Sequence, residues 1–422
     1  MENPSLQIGD NNWAVKDGSI LGYNIIQDNY LPQPITFTRA STATRVNESG
    51  LIEEVATGVP RIDYTGGGFG KLLLEQQRSN SVLYSQEIDN TYWLKTNLNT
   101  AGSWVNVGVS PDGTLNADNL ISDTSLAAHR ISRNDFITYA DNTFFTTSVF
   151  LKKNPHPYVL FSLVLRNGST FVESAAIQVN LTTKSIAVQS VSTFQSISGT
   201  IENYNDDWVR VTLTAKTPTT GATRLDYQVS LTDDLYNSYA GNDVDGVFCW
   251  GMQCESSASY ATSYIPTTTT AVTRVADSAS KSGISSLIGQ TQGTVFFDLN
   301  NVTGTVTGTG NPEIAFRNTA LTNWMGVTTN IFASPFRFTF RSATTLINYS
   351  ANITRAKVAC SYGAFGVKLF VNGALVASSV TIPTTTFDLL DLKGGIIKSE
   401  LTSVMSFLLP KSDSDLIALT TL

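Results

Sequence analysis

A chain of 422 residues with 27 lysines and arginines against 34 aspartates and glutamates carries a net charge of −7, which argues against a nucleic-acid partner, because counterion release needs clustered cations. Hydrophobic residues at 41% can fill real cores and argue against disorder, while charged residues at 14% fall well below the usual quarter. Thr, Ser, Asn, Val and aromatic residues take the positions that Lys and Glu would occupy in a helical protein, so the chain reads as all-β, and its length suits two or three domains.

The first ten residues, MENPSLQIGD, show no cationic stretch followed by an apolar one, so no secretory signal is expected. Trp13 lies in the segment that follows and could anchor a partner subunit. Thr42 to Val46 alternates like a strand, Asn47-Glu48-Ser49-Gly50 is turn chemistry, and Leu51 to Val55 is a second run of similar length, which predicts a hairpin. PRIDY, a flexible TGGGFG and the apolar KLLLE come next, and residues 1–80 read as short strands and loops without a helix. A polar two-stranded hairpin is marginal in water. It is expected to rest on the following sandwich or on a neighbouring copy, with Arg39, Arg45, Glu53 and Glu54 available for pairing across subunits.

Residues 81–266 carry a succession of strands with regular turn signals, among them YVLFSLVLRNGS, ESAAIQVNL, WVRVTLTAK, RLDYQVSL and GVFCWGMQC. In WVRVTLTAK, Val209, Val211 and Leu213 face one way and Trp208, Arg210, Thr212 and Thr214 the other, so one side packs and the other is polar. Over this length the pattern predicts a β-sandwich of jelly-roll type. YVLFSLVL, the longest apolar run, is strand-length and far short of a membrane span. Cys249, Cys254 and Cys360 cannot all pair and fit a reduced compartment of synthesis. Cys249 and Cys254 have a spacing found in metal sites, but no second pair or His cluster joins them, and structural zinc needs four ligands. Residues 267–283, rich in Thr, Ser and Ala, read as a linker, and residues 284–422 as a second β-sandwich. The firmest local signal there is VKLFVNGALVAS, where Asn372-Gly373 specifies a two-residue type I′ turn with positive φ at both central positions.

Catalytic signatures are scarce. The two histidines, His129 and His156, have no nucleophile motif beside them, and no G-x-S-x-G elbow, H-E-x-x-H pair or phosphate loop occurs. The acids of NDDW (Asp206, Asp207), TDDL (Asp233, Asp234) and NDVDG (Asp243, Asp245) fall at turns, where Asp caps its own backbone. A structural calcium held by Asp243 and Asp245 ranks ahead of catalysis among the other readings of these acids, since hard oxygen ligands on sandwich loops suit that ion. Aromatic rings stack on the C–H faces of sugars while Asn, Asp, Gln and Arg pair with the hydroxyls. Trp208 and Trp250 sit in alternating strands and read as core. Trp93 and Trp104, in NTYWLKTNLNTAGSW, and Trp324, in LTNWMGV, stand in polar settings. They are the glycan-binding candidates, with core packing as the alternative for each.

The strings FTRASTATRVNESGLIEEV, PRIDY and KLLLEQQRSNSVLYSQ together resemble the entry segment of a large group of bacteriophage virion proteins that includes tail and head fibre proteins. QCESSASYATSYIPTTTTAVTRVADS is similar to the exit of their carbohydrate-binding-like jelly roll, and GVKLFVNGALVAS with the terminal SDSDLIALTTL to the close of a laminin G-like or concanavalin A-like lectin sandwich. The resemblance spans most of the chain from Phe37 onward. It departs from the family pattern at Gln76, where a Pro usually follows the Glu of LLLE, and at Ser81-Val82, where Asn-Leu usually stands; neither change breaks a strand.

The resemblance implies a virion structural protein made in the host cytoplasm, without enzymatic activity, that displays lectin-like sandwiches to host surface glycans. Residues 1–80 would attach to other virion proteins, with Trp13, Tyr23 and Tyr30 as anchors. A homo-oligomer is implied, a trimer by closed symmetry, with no nucleic acid, no membrane insertion and no cofactor beyond a structural calcium. Two alternatives stand beside this reading. One is a capsid or tail decoration with a purely structural role. The other is a polysaccharide depolymerase, which would need paired acids, usually on a long β-helix whose short repeats are absent here.

Overall fold

Apolar residues recurring at every second position, broken by Gly, Asn and Asp turns, give this chain almost nothing but antiparallel strands. The computed structural model describes residues 3–422 apart from 27–28, 134–136, 139, 190–192, 234–237, 304–311, 329–335, 385 and 396–397. The chain forms two compact units: Met1–Glu48, Glu54–Gln77 and Arg274–Leu422 make the first, Ser49–Glu53 and Arg78–Thr273 the second.

The second unit is built on eight strands: β1 (Leu115–Ile121), β2 (His129–Arg133), β3 (Phe144–Asn154), β4 (Tyr158–Asn167), β5 (Thr170–Asn180), β6 (Val209–Lys216), β7 (Arg224–Leu231) and β8 (Gly246–Ser256). Strand β1 pairs with β8, β2 with β7, β3 with β6 and β4 with β5. That is one long hairpin with its tip between β4 and β5. Rolling it up adds the pairs β3–β8 and β4–β7 and produces the central strands of two larger sheets, ordered β1-β8-β3-β6 and β2-β7-β4-β5, which shorter or flanking strands extend at their edges. This is the jelly-roll order expected from the sequence. The inner faces meet in a core of Val149, Leu151, Phe161, Leu163, Ile177, Val211, Val229 and Met252, all fully buried.

The outer face of β6 departs from the simple alternation. Trp208, Arg210, Thr212 and Thr214 do oppose the core, yet they are 1%, 3%, 6% and 6% exposed. The chain after β8 returns over this sheet, where Thr146 Oγ1 donates to Ala258 O and Tyr264 joins Phe150 and Trp250 in an aromatic layer. The Arg210 guanidinium lies over the Phe150 ring at 5.4 Å. The tip of the predicted hairpin belongs to this unit as well: Asn205 Nδ2 donates to Ser49 O (2.8 Å) and Ile52 N to Pro111 O (2.9 Å). Gly50 has φ +77°, and a Cβ there would come 2.4 Å from the Asn205 amide. The hairpin strands themselves, Ala43–Val46 and Ile52–Val55, form as expected.

The first unit is also a β-sandwich. Phe297 meets Phe316 and Phe338, and Phe340 meets Tyr362, from facing strands across its core. Its composition differs from the expected division of the chain. Residues 1–80 are not a separate attachment segment: Leu6–Gly9 pairs with both Ser19–Ile26 and Lys398–Phe407, and Lys71–Leu74 also pairs with Lys398–Phe407. Leu6, Ile8, Ile20 and Ile35 are at most 1% exposed in the shared core. Residues 267–283 are not wholly a linker either, because Ser278–Ser282 is a strand between Asn29–Thr38 and Leu389–Lys393. Physically, the early strands carry too little apolar surface to stand alone and complete a sheet begun at the far end of the sequence. The type I′ turn forms as predicted, with φ +49° at Asn372 and +82° at Gly373. One α-helix, Asp413–Thr420, occurs among the described residues; Ser412 Oγ caps it by accepting from Asp415 N, and Leu416 seats it on Phe296, Phe370 and Phe407.

Candidate functional site

A ring that stacks on a sugar must present a face to solvent, and the nominated tryptophans do not. Trp93 is 2% exposed; its Nε1 donates to Tyr84 O at 3.1 Å and its ring meets Tyr92 and Tyr227 edge-on. Trp104 and Trp324 are each 8% exposed, the first under the Lys95 ammonium and the second under the Arg341 guanidinium. All three are packing residues. Trp13 is half-buried against the first core beneath Gly9, Tyr23 is half-buried opposite Pro32, and the Tyr30 side chain lies outside the described residues.

The calcium candidates do not fit the ion. Asp243 is exposed at φ +58°, Asp245 accepts from Asn242 Nδ2 (2.9 Å), and no group of three or more His, Cys, Asp or Glu residues that could hold a metal occurs among the described residues. Calcium takes six to eight oxygens. Asp206 and Asp207 pair at the surface with Lys152 and Lys184, and Asp234 lies outside the described residues. The two histidines converge on Tyr239, with ring centroids at 4.7 Å for His129 and 5.3 Å for His156. Backbone carbonyls take up their nitrogens: His129 reaches Asn97 O and Tyr239 O, and His156 Nε2 reaches Thr232 O. Burial holds His156 below the usual histidine value. This is a structural arrangement rather than a general base.

The strings that carried the family resemblance meet inside the first unit. Arg39 of FTRAS, Arg61 of PRIDY, Glu75 of KLLLE, and Arg274 and Asp277 of TRVAD are all at most 2% exposed. Arg61 donates to Glu75 Oε2 (2.9 Å), to Thr44 O and to Asp277; Arg274 donates to Glu75 Oε2 (2.7 Å) and Arg39 to Asp277 Oδ1 (3.2 Å). Arg39 also donates to the carbonyls of Ser41, Val55, Ala56 and Val59. Burial works against the Arg61 charge, but the Asp277 and Glu75 carboxylates outweigh it and raise its pKa. Arg39 is therefore not available for pairing across subunits. The string marks a buried junction, not a contact surface.

A polar row with little exposure lies on the outward face of the β2-β7-β4-β5 sheet, where Ser132, Ser162, Gln228 and Ser230 are 8%, 5%, 8% and 2% exposed. Strand β7, RLDYQVSL, sends Leu225, Tyr227, Val229 and Leu231 into the core and Arg224, Asp226, Gln228 and Ser230 outward. Register places Gln228 between Ser132 of β2 and Ser162 of β4, and Ser230 between Arg130 and Leu160. Among the described residues the side chains of Ser132, Ser162, Gln228 and Ser230 make no hydrogen bond. Asp226, 2% exposed, accepts from Arg166 Nε and Arg224 Nη2 through Oδ2, both at 2.8 Å, while its Oδ1 has no partner. The hydroxyls and the amide are withdrawn from solvent, and of this row the guanidiniums of Arg166 and Arg224 are the partly exposed groups. Sequence reasoning passed this face over although its signal, strict polar alternation in RLDYQVSL, was present. No protein-family model matches the chain, and no curated protein matches it.

Proposed function

We propose that the chain is a phage virion structural protein of the fibre class whose jelly roll adheres to host surface glycans. The observation that supports the reading is the jelly roll itself, the fold that the resemblance implies, whose β2-β7-β4-β5 sheet turns a row of Ser132, Ser162, Gln228 and Ser230 away from the core, each 2–8% exposed. Sugar recognition rests on convergent hydrogen bonds, and a site built to make them loses free energy when they are left unmade. The entry strings support the fibre resemblance in a different way, since their charged residues form a scaffold element that a family would share whatever its ligand. A homotrimer displaying several copies of the face would gain avidity over one.

Binding of the purified full-length protein to a bacterial glycan array and to whole host cells tests this. Ser162→Tyr, which fills the centre of the face, is expected to abolish saturable binding, and Gln228→Ala to weaken it, with the fold intact by circular dichroism. Saturable binding that Ser162→Tyr leaves untouched would move recognition off this face. The burial of Trp93, Trp104 and Trp324 favours the second reading, a decoration protein without a glycan ligand. A well-folded oligomer that binds neither array nor cells would establish that reading instead.

A further inference from the structure

The strands of the first unit join in one unbroken antiparallel path. It starts at Thr344–Ala351, runs through Phe336–Ser342 to Ser278–Ser282, passes Leu6–Gly9 and Lys398–Phe407, and ends on Gly366–Val371 and Ala374–Ser379. Among the described residues, every inner strand of the path has partners on both sides, whereas each end strand has a partner on one side alone. The end strands lie against each other without pairing, and Tyr349 of one and Val376 of the other pack on the core. The path therefore has a seam with two free edges. Strict alternation of direction along the path leaves these edges antiparallel to each other, the sense in which two strands extend such a sheet. Neither edge is guarded by charge. Residues 342–354 and 369–387 contain no Asp, Glu, Lys or Arg, although native edge strands are commonly protected by charged side chains. Each edge carries one bulge, at Leu346 and at Val376, after which residues 347–351 and 377–379 keep a regular register. Along the second edge Leu375, Val380 and Ile382 are 50%, 91% and 54% exposed. Val380 lies beside Gly366, next to Phe365, which is 44% exposed.

We infer that this seam is the surface on which copies of the chain join, the Ala374–Ser379 edge of one copy adding to the Thr344–Ala351 edge of the next around a closed three-fold ring. Direction and charge choose a second copy over a foreign partner. The two edges are complementary in direction and both belong to one chain, so rotation about an axis parallel to the strands pairs them antiparallel at every junction. A chain of net charge −7 repels its own copy over much of its surface, and the seam lacks the charges that cause this. A foreign partner would draw specificity and steering from charge, which these edges do not offer. Leu375 and Val380 supply the apolar contact typical of interfaces between identical subunits. The inference rests on the homotrimer of the fibre reading and names the surface that makes it; glycan adhesion is independent of it.

The test is sedimentation equilibrium of the full-length protein beside three variants. Leu375→Glu combined with Val380→Glu places charge on exposed positions of the edge. Ser378→Lys, at another exposed edge position, repeats the test without removing an apolar side chain. Leu126→Glu, at a 78% exposed position of the second unit, is the control. Wild type and Leu126→Glu are expected to sediment as trimers. Both edge variants are expected to raise the dissociation constant about a hundredfold or more, with an unchanged circular dichroism spectrum. Hydrogen exchange at residues 347–351 and 377–379 is expected to be slow in the trimer and faster in the edge variants. A trimer that both edge variants leave intact would overturn the inference and move association to another surface, with the trimer itself retained. A wild-type dimer lost in the edge variants would overturn the three-fold ring and keep the edges as the contact. A wild type that stays monomeric would remove the trimer and the seam together, while the glycan array reports on adhesion separately.

Discussion

Asp118 shows how one residue on the jelly roll couples burial to pH. It sits on β1, 1% exposed, and its oxygens accept from Asn106 N (2.8 Å) and Asp89 N (3.2 Å). Burial, with the Asp89 charge adding to it, raises its pKa from the ordinary 3.8 to about 6. The folded carboxyl therefore binds a proton more readily than the unfolded one, so this group favours folding at low pH and loses that contribution as pH rises toward about 6. Denaturant unfolding of wild type and Asp118→Asn between pH 4 and 7 should show the wild type losing stability relative to the variant across this window. A difference that stays flat with pH would mean the carboxyl is unshifted. At the same scale, the tryptophans explain what sequence could not supply. Trp93 has Asn90 and Thr91 before it and Lys95 after it, but those are neighbours along the chain; its neighbours in space are Tyr92 and Tyr227. Polarity along a sequence is a poor guide to exposure where a strand turns one residue inward and the next outward.

At the scale of elements, period-two alternation made the jelly-roll strands and the Asn372-Gly373 hairpin legible, because both depend on residues close together in the chain. The buried junction of Arg39, Arg61, Glu75, Arg274 and Asp277 was not legible as such. Its members lie up to 238 residues apart, and nothing local distinguishes a buried arginine from a surface one. The short helix Asp413–Thr420 escaped notice too, although Ser412 followed by Asp415 is a capping signal. The junction carries a clear energetic expectation. Removing one partner leaves an uncompensated charge away from water, so Asp277→Asn or Glu75→Gln should destabilise the first unit by about 3–5 kcal/mol. Hydrogen exchange on the strand Lys398–Phe407 reads this directly. A loss below about 1 kcal/mol, the range of exposed pairs, would show that water reaches the charges.

At the scale of the whole molecule, the sequence disclosed two sandwiches but not how the chain is divided between them. The second unit has its own core, so residues 78–273 expressed alone should unfold cooperatively with a melting transition of their own. Deleting residues 1–35 should do the opposite to the first unit, since it removes Leu6, Ile8, Ile20 and Ile35 from the interior; loss of its transition, with that of the second unit retained, is the expected calorimetric result. Both transitions surviving would mean the early strands are dispensable. The same division has a consequence in time. The strands Leu6–Gly9 and Lys71–Leu74 each have one neighbour close in sequence, Ser19–Ile26 and Ile62–Asp63, and complete their second edge on Lys398–Phe407, and the insertion from Arg78 to Thr273 separates them from it. At synthesis rates of about 5–20 residues per second, that interval lasts on the order of ten seconds or more. The unit that leaves the ribosome first is thus finished last, and until then its apolar strands wait as open edges, the condition in which sheets find wrong neighbours.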